Sequence, residues 1–284
     1  MRFTLPRRSG LTRERGSLAV FLLLACTLAP RTAAAQQLPA GTLPVPTPAA
    51  AALLQRGLAA LTGGVQITDV TLTGTASVPN HPGASTGSIV LVATAGGRSQ
   101  VTLTSSTGVD TEINDYSAGP HSENYSGPDG VIHKTPPQSL PAIHPAWFFP
   151  AFIIAAGSSS AGFAASEVGQ ETRNGIAVRH LTLWHSLSPH GSQHDLYFDP
   201  ASMLPTDMVF RIRAFNPNNP DAPLRAIPTA PAEVEEEVRY SDYRPVQGVP
   251  VPFHIQFYIR GALAIDIQVS SATINTGATI AALN

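Results

Sequence analysis

Apolar and polar positions alternate with a period of two along much of the second half of the chain. Val234, Glu236, Val238 and Tyr240 alternate with Glu235, Glu237, Arg239 and Ser241. Phe253, Ile255, Phe257 and Ile259 alternate with His254, Gln256, Tyr258 and Arg260, and Leu263, Ile265, Ile267 and Val269 with Ala264, Asp266, Gln268 and Ser270. Strict alternation marks antiparallel strands with one apolar face. The short breaks at Gly248 and Gly261 predict a three-stranded meander over residues 234–275. Its apolar face must be covered by something else in the chain.

The same period recurs upstream in shorter runs. Strands are predicted over 65–78, 88–95, 98–105, 109–116 and 121–126, with breaks at Gly83, Gly96-Gly97, Gly108 and Gly127-Pro128-Asp129-Gly130. Residues 166–171 and 176–185 form a hairpin about Arg173-Asn174-Gly175, and 196–198 with 206–213 form the next. Residues 216–231, with five prolines, read as a loop. With the less regular 121–126 run set aside, ten or eleven strands result, with no repeat of fixed period. One helix precedes them: Thr47 is a helix cap, Pro48 suits the first turn, Leu53, Leu54, Leu58 and Leu61 share a face, and Gly63-Gly64 stops it.

The alternation fails over 140–156, which is almost wholly apolar yet interrupted by Pro141, Pro145 and Pro150. Prolines at that density exclude a central strand and one long helix. Two short helices are predicted, over 145–149 and 150–156, followed by a flexible exit at Gly157 and the serines 158–160. Two readings stay open, a plain core plug and a lid over the apolar face of the sheet beside a ligand cavity. In the lid reading the binding surface is Trp147, Phe148, Phe149, Phe152 and Ile153 from the lid, and Phe253, Ile255, Phe257, Ile265 and Ile267 from the concave face of the sheet.

The first 35 residues carry Arg2, Arg7, Arg8, Arg13 and Arg15, then an apolar run from Leu18 to Ala29, then Ala33-Ala34-Ala35 before Gln36. This is the pattern of a secretory signal cut after Ala35, with an apolar run too short for a stable membrane span. The alternative is lipidation at Cys26, the only cysteine, whose setting Leu23-Leu24-Ala25-Cys26 is like a bacterial lipobox. Cleavage after Ala35 removes six of 17 basic and one of 19 acidic residues, and leaves a net charge of about −7 with Lys134 as the only lysine. So little basic charge argues against nucleic-acid binding. No disulfide would remain, and the core must suffice. With 23 glycines and 26 prolines, turns and short strands are favoured over long helices.

Catalytic patterns are sparse. Nine histidines invite a metal, but His180 and His185 point to opposite faces of one strand, and His190 and His194 sit in a turn-rich loop. No acid stands at metalloprotease spacing. Gly83-Ala84-Ser85-Thr86-Gly87 fits Gly-x-Ser-x-Gly but lies between two strands, without the helix that the serine elbow requires. Glu235 and Glu237 fall on what alternation makes the solvent face of an edge-like strand, and Glu236 shares the face of Val234 and Val238. No cofactor and no catalysis are expected.

Tyr240-Ser241-Asp242-Tyr243-Arg244, Val246, Gly248-Val249, Pro252 and the strand 253–260 resemble the last strands of the periplasmic lipoprotein-carrier (LolA-like) family. Leu196-Tyr197-Phe198-Asp199-Pro200 through Leu204-Pro205 resembles the family's central hairpin, and the opening helix and the Gly175 hairpin follow its order over roughly residues 47–274. Residues 275–284 depart from it, lacking the family's aromatic ending. The resemblance implies a mostly β (α+β) fold: a curved antiparallel half-barrel with an N-terminal helix and short lid helices, whose apolar concave face holds acyl chains. It also implies an arginine latch for the lid, for which Arg98 is the nearest candidate. The expected layout is a signal peptide (1–35), a Pro/Ala-rich linker (36–46) and one LolA-like domain (47–284). The expected role is a periplasmic carrier or binding protein for a lipid, a lipoprotein acyl chain or a similar apolar ligand. The alternative is an envelope scaffold or sensor that binds another protein through a sheet edge or groove.

Overall fold

The computed structural model of the protein describes residues 45–79, 85–115, 121–138, 146–159, 162–185, 193–213 and 233–281. The expected signal, nearly all of the linker and the 216–231 loop lie outside these residues. The chain runs α1 (Pro48–Thr62), β1 (Asp69–Val78), β2 (Ser85–Thr94), β3 (Arg98–Ser105), β4 (Gly108–Asp115), β5 (His121–Ser126) and β6 (Ile132–Gln138). It continues through α2 (Pro150–Ser159), β7 (Phe163–Arg173), β8 (Ile176–His185), β9 (His194–Phe198), β10 (Pro205–Arg213), β11 (Glu233–Val246), β12 (Val249–Ile259) and β13 (Ala262–Ile274).

The thirteen strands of the described residues form one sheet, ordered β6-β5-β4-β3-β2-β1-β13-β12-β11-β10-β9-β8-β7. Every neighbouring pair is antiparallel, so the protein consists of two meanders, β1–β6 and β7–β13, joined where β1 pairs with β13. The sheet is open, with β6 and β7 as its edges, and the mostly β half-barrel expected from the sequence is the fold observed. The count exceeds ten or eleven because the 121–126 run forms β5 and because of β6, whose Pro136-Pro137 conceals a strand; both prolines are tolerable on an edge, where a missing N–H breaks no inner ladder.

Turn chemistry sets the registers. Asn174-Gly175, Gln247-Gly248 and Arg260-Gly261 each place two successive residues at positive φ, the two-residue turn whose twist suits a hairpin. α1 begins as its sequence demands: the Ala50 N–H donates to Thr47 Oγ1 at 3.2 Å, and Gly63, in the left-handed region, donates to the Ala59 carbonyl at 3.0 Å. Edge β7 is guarded against further pairing. Gly169, at φ 131, marks a register shift along it, and the Ala165 carbonyl accepts from the Thr47 N–H at 3.0 Å.

One core draws on both helices and on β1–β3 and β7–β13. A single cross-strand row shows the alternation at work: Leu181, Leu196, Met208, Val238, Phe257 and Ile265 are successive partners from β8 to β13, all on the concave face. Gly57 lets α1 approach Phe198, since a Cβ there would lie 2.6 Å from its ring. The residues after β13 are tied down by Asp69, whose carboxylate accepts from the N–H groups of Thr276 (3.0 Å) and Gly277 (3.1 Å). Burial pushes its pKa up, but these bonds prevail and hold the carboxyl below its ordinary range. Asp69→Ala is expected to cost about 1–3 kcal/mol and to raise amide exchange over residues 275–281 before that of the central strands. Exchange mass spectrometry checks this.

Candidate functional site

The apolar segment between the two meanders sits on the concave face. Residues 146–148 form a turn, closed by the Phe149 N–H donating to the Ala146 carbonyl at 2.8 Å, and α2 follows from Pro150. The first of the two short helices expected here is thus a turn, and Pro145 lies outside the described residues. The second runs past 156 through Gly157 to Ser159, so Gly157 is not a flexible exit. Its bare Cα faces Leu183, whose Cδ2 would lie 2.7 Å from a Cβ, and the absence of a side chain seats the helix on β8.

Burial divides the segment in two. Phe148, Phe149, Ile153 and Ile154 are wholly buried, while Trp147 and Phe152 are half-buried. Trp147 packs on Phe257 with ring centroids 5.1 Å apart and meets Phe148 edge-on at 5.6 Å; Phe210 lies 6.2 Å beyond Phe257. Phe257 and Ile265, both on the concave face, are half-buried too, whereas Phe253, Ile255 and Ile267 are buried. The expected lid and floor residues therefore share one core, and of the part-open ones Phe257, paired with Ile265, lies against Trp147. The Tyr240 hydroxyl donates to the Trp147 carbonyl at 2.5 Å and pins the turn to β11. That bond was not foreseeable, because Tyr240 counts as one more apolar position in the alternation.

Arg98, the candidate latch, is engaged elsewhere. Its Nη1 donates to the Ile280 carbonyl at 2.6 Å and its Nε lies 3.0 Å from Asp115, so the contacts of its guanidinium tie the chain's last described residues to β3 and β4.

At the free edge of the sheet, where the start of α1 and the end of α2 meet the start of β7, there is an open groove of about 470 Å³. Ala51, Leu54, Phe163 and Ala165 give it an apolar wall, and Gln55 and Ser158 add polar atoms.

The convex face carries the polar network. Glu237 is buried rather than solvent-facing, and β11 lies well inside the sheet rather than near its edge. The reason is that the β7–β8 hairpin folds over it: Arg173 Nη2 donates to Glu237 at 2.9 Å, Arg239 Nε donates to the same oxygen at 2.9 Å, and Asn174 Nδ2 donates to Asp207 at 3.0 Å. Arg173 stacks over Tyr197, its guanidinium carbon 4.3 Å from the ring centroid, and covers the outward apolar cluster of Val178, Tyr197 and Val209. Burial pushes Asp207 up to about 6, and the neighbouring Glu237 adds to this. Glu237 is held below its ordinary range: burial opposes, but the arginine hydrogen bonds and charges outweigh it. On this face His180 contacts Asp195 at 3.1 Å, with Thr182 donating to the same carboxylate at 2.9 Å. Glu236, by contrast, is buried on the concave face, in a row with His194, Phe210 and Ile259. His190 lies outside the described residues.

Among the described residues no helix is long and apolar enough to cross a membrane. No family model matches the sequence, and no curated protein matches it. Solved structures do. The chain is similar to a DUF1329 family protein from Desulfovibrio piger, at 10% identity over 82% of this chain and 95% of that one, with a TM-score of 0.51. It is also similar to a LolA superfamily protein from Nitrosomonas europaea (11% identity, 80% and 93% covered, TM-score 0.45). A third similar chain is a candidate outer membrane lipoprotein-sorting protein domain from Vibrio parahaemolyticus (11%, 81% and 94%, TM-score 0.49). At such identity the likeness is one of fold alone.

Proposed function

We propose that the protein is exported by its N-terminal signal to the periplasm and there binds an apolar or lipidated ligand on the concave face of its LolA-like domain. The observation that carries this reading is the part-open apolar cluster of Trp147, Phe257 and Ile265 on a largely apolar face, with Phe152 also half-open on α2. A wholly buried aliphatic or aromatic side chain contributes about 1.5–3 kcal/mol. Four of them, Phe148, Phe149, Ile153 and Ile154, together approach the whole stability of a domain, about 5–15 kcal/mol. The α2 segment as a whole is therefore too deeply seated to lift for a ligand. The movable part is its rim, Trp147 and Phe152, which an acyl chain can displace at far smaller cost.

The expected result is that fatty acids or lipopeptides change Trp147 fluorescence, and that Trp147→Ala alters their affinity more than it lowers Tm. Native mass spectrometry of the protein purified from its own envelope should show a co-purified lipid of defined mass. A protein that carries no ligand, with an indole signal that no amphiphile moves, would leave the plug reading in its place.

A further inference from the structure

The groove at the β7 edge has a chemistry of its own. It opens where the sheet has no further strand, between the first turn of α1 and the last turn of α2, and it reaches inward to Leu54 and Phe163, which pack on the core. Its volume of about 470 Å³ falls within the range of ligand sites, ~300–1,000 Å³.

None of its described lining residues is charged; the polar ones are Thr47, Gln55 and Ser158. A carboxylate or phosphate brought there would lose water without gaining a countercharge. A helix start can supply N–H groups to an anion, but here they serve the protein itself. Ala50 and Ala51 donate to the Thr47 side chain and carbonyl, each at 3.2 Å, and Pro48 has no N–H to give. On the opposite wall the Ser158 hydroxyl makes no hydrogen bond, which is unusual for a helical serine; it is closed off from solvent, so a neutral ligand oxygen reaches it only as the wall of the open groove gives way.

We propose that this groove takes the uncharged end of a single-chain amphiphile, of the monoacylglycerol or fatty-alcohol class, whose alkyl chain runs past Leu54 and Phe163. The inference rests on the reading that the protein binds an apolar ligand, and it adds where that ligand enters and what head it carries. It disfavours free fatty acids and phospholipids at the same place.

The test titrates 1-monooleoylglycerol, oleate at pH 8 and lysophosphatidylcholine into the full chain, below their critical micelle concentrations, with native mass spectrometry and Trp147 fluorescence as readouts. Monooleoylglycerol is expected to bind one to one, at least about tenfold more tightly than anionic oleate or zwitterionic lysophosphatidylcholine, whose phosphate also has no countercharge among the groove's described lining residues. Ala51→Trp fills the groove from an exposed position on α1, so it should weaken that binding by about tenfold or more and leave Tm unchanged. Ser158→Ala should weaken it by about three- to tenfold, the effect of one hydrogen bond.

Equal affinity for oleate, or unaltered affinity in Ala51→Trp while Trp147 still responds, overturns the groove assignment and leaves the ligand under the Trp147 turn. If none of the three amphiphiles binds the wild-type chain, the groove assignment fails together with the reading beneath it.

Discussion

Phe149→Ala is expected to lower the stability of the protein by about 3–5 kcal/mol, the range for emptying a large buried aromatic site. Phe149 is wholly buried, sits where the 146–149 turn enters α2, and packs against Phe152 at 5.2 Å between ring centroids. The cavity has little prospect of collapsing, because Gly157 already brings the other end of α2 into contact with Leu183 on the sheet. Trp147→Ala is the informative contrast. Trp147 is half-buried at the rim and touches Phe257 and Phe148, so its removal should cost well under half as much. Urea denaturation of both variants gives the comparison. Equal losses at the two positions would mean that Trp147 is as deeply built into the core as Phe149, and the division into a fixed segment and a movable rim would fall.

The second large effect belongs to the convex face and depends on pH. Asp207 titrates at about 6 in the folded protein, against an ordinary value of 3.8. Burial is the main cause. The asymmetry within the cluster follows from its geometry, since Glu237 takes the arginine hydrogen bonds at 2.9 Å while the guanidinium nitrogens stay 3.7 Å from Asp207. A carboxyl whose folded pKa is raised binds its proton more tightly when folded than when unfolded. Its contribution is therefore present at low pH and is lost as pH rises from about 4 through about 6.

Glu237, shifted the other way, contributes in full above its ordinary value of 4.5 and loses that contribution only as pH falls below it, so it adds no pH dependence between 4.5 and 8. Asp207→Asn keeps the shape and a hydrogen-bonding oxygen for Asn174 but has no charge to desolvate. The variant is expected to be more stable than the wild type by about 1–3 kcal/mol at pH 8, with the difference vanishing toward pH 4.5. Tm profiles across that interval measure it. A wild type that outlasts the variant at pH 8 would show that the ionised Asp207 is held by Arg173 and Arg239 after all.

Much of this molecule is legible along the chain because its sheet is antiparallel and has one greasy face. Alternation in 234–270 assigns Phe253, Ile255 and Ile267 to the core without any tertiary knowledge, since the pleat turns every second side chain to the same side. Thr47, Pro48 and Gly63 delimit α1 by local hydrogen bonding alone, and Gly175, Gly248 and Gly261 set hairpins by backbone freedom. Where local rules and long-range contacts disagree, the tertiary structure decided. Glu237 looks solvent-facing by parity, but parity tells only which face a residue takes, and a hairpin 64 residues earlier in the chain covers that face. Gly157 reads as a loose joint by composition, yet a glycine inside a helix packed on Leu183 tightens the contact. The pairing of β1 with β13, the placement of Arg98 against the Ile280 carbonyl, and the groove between α1, α2 and β7 join segments up to about two hundred residues apart. No periodicity encodes such meetings, because they follow from how a twisted open sheet curls around its helices and not from the conformation of any one stretch.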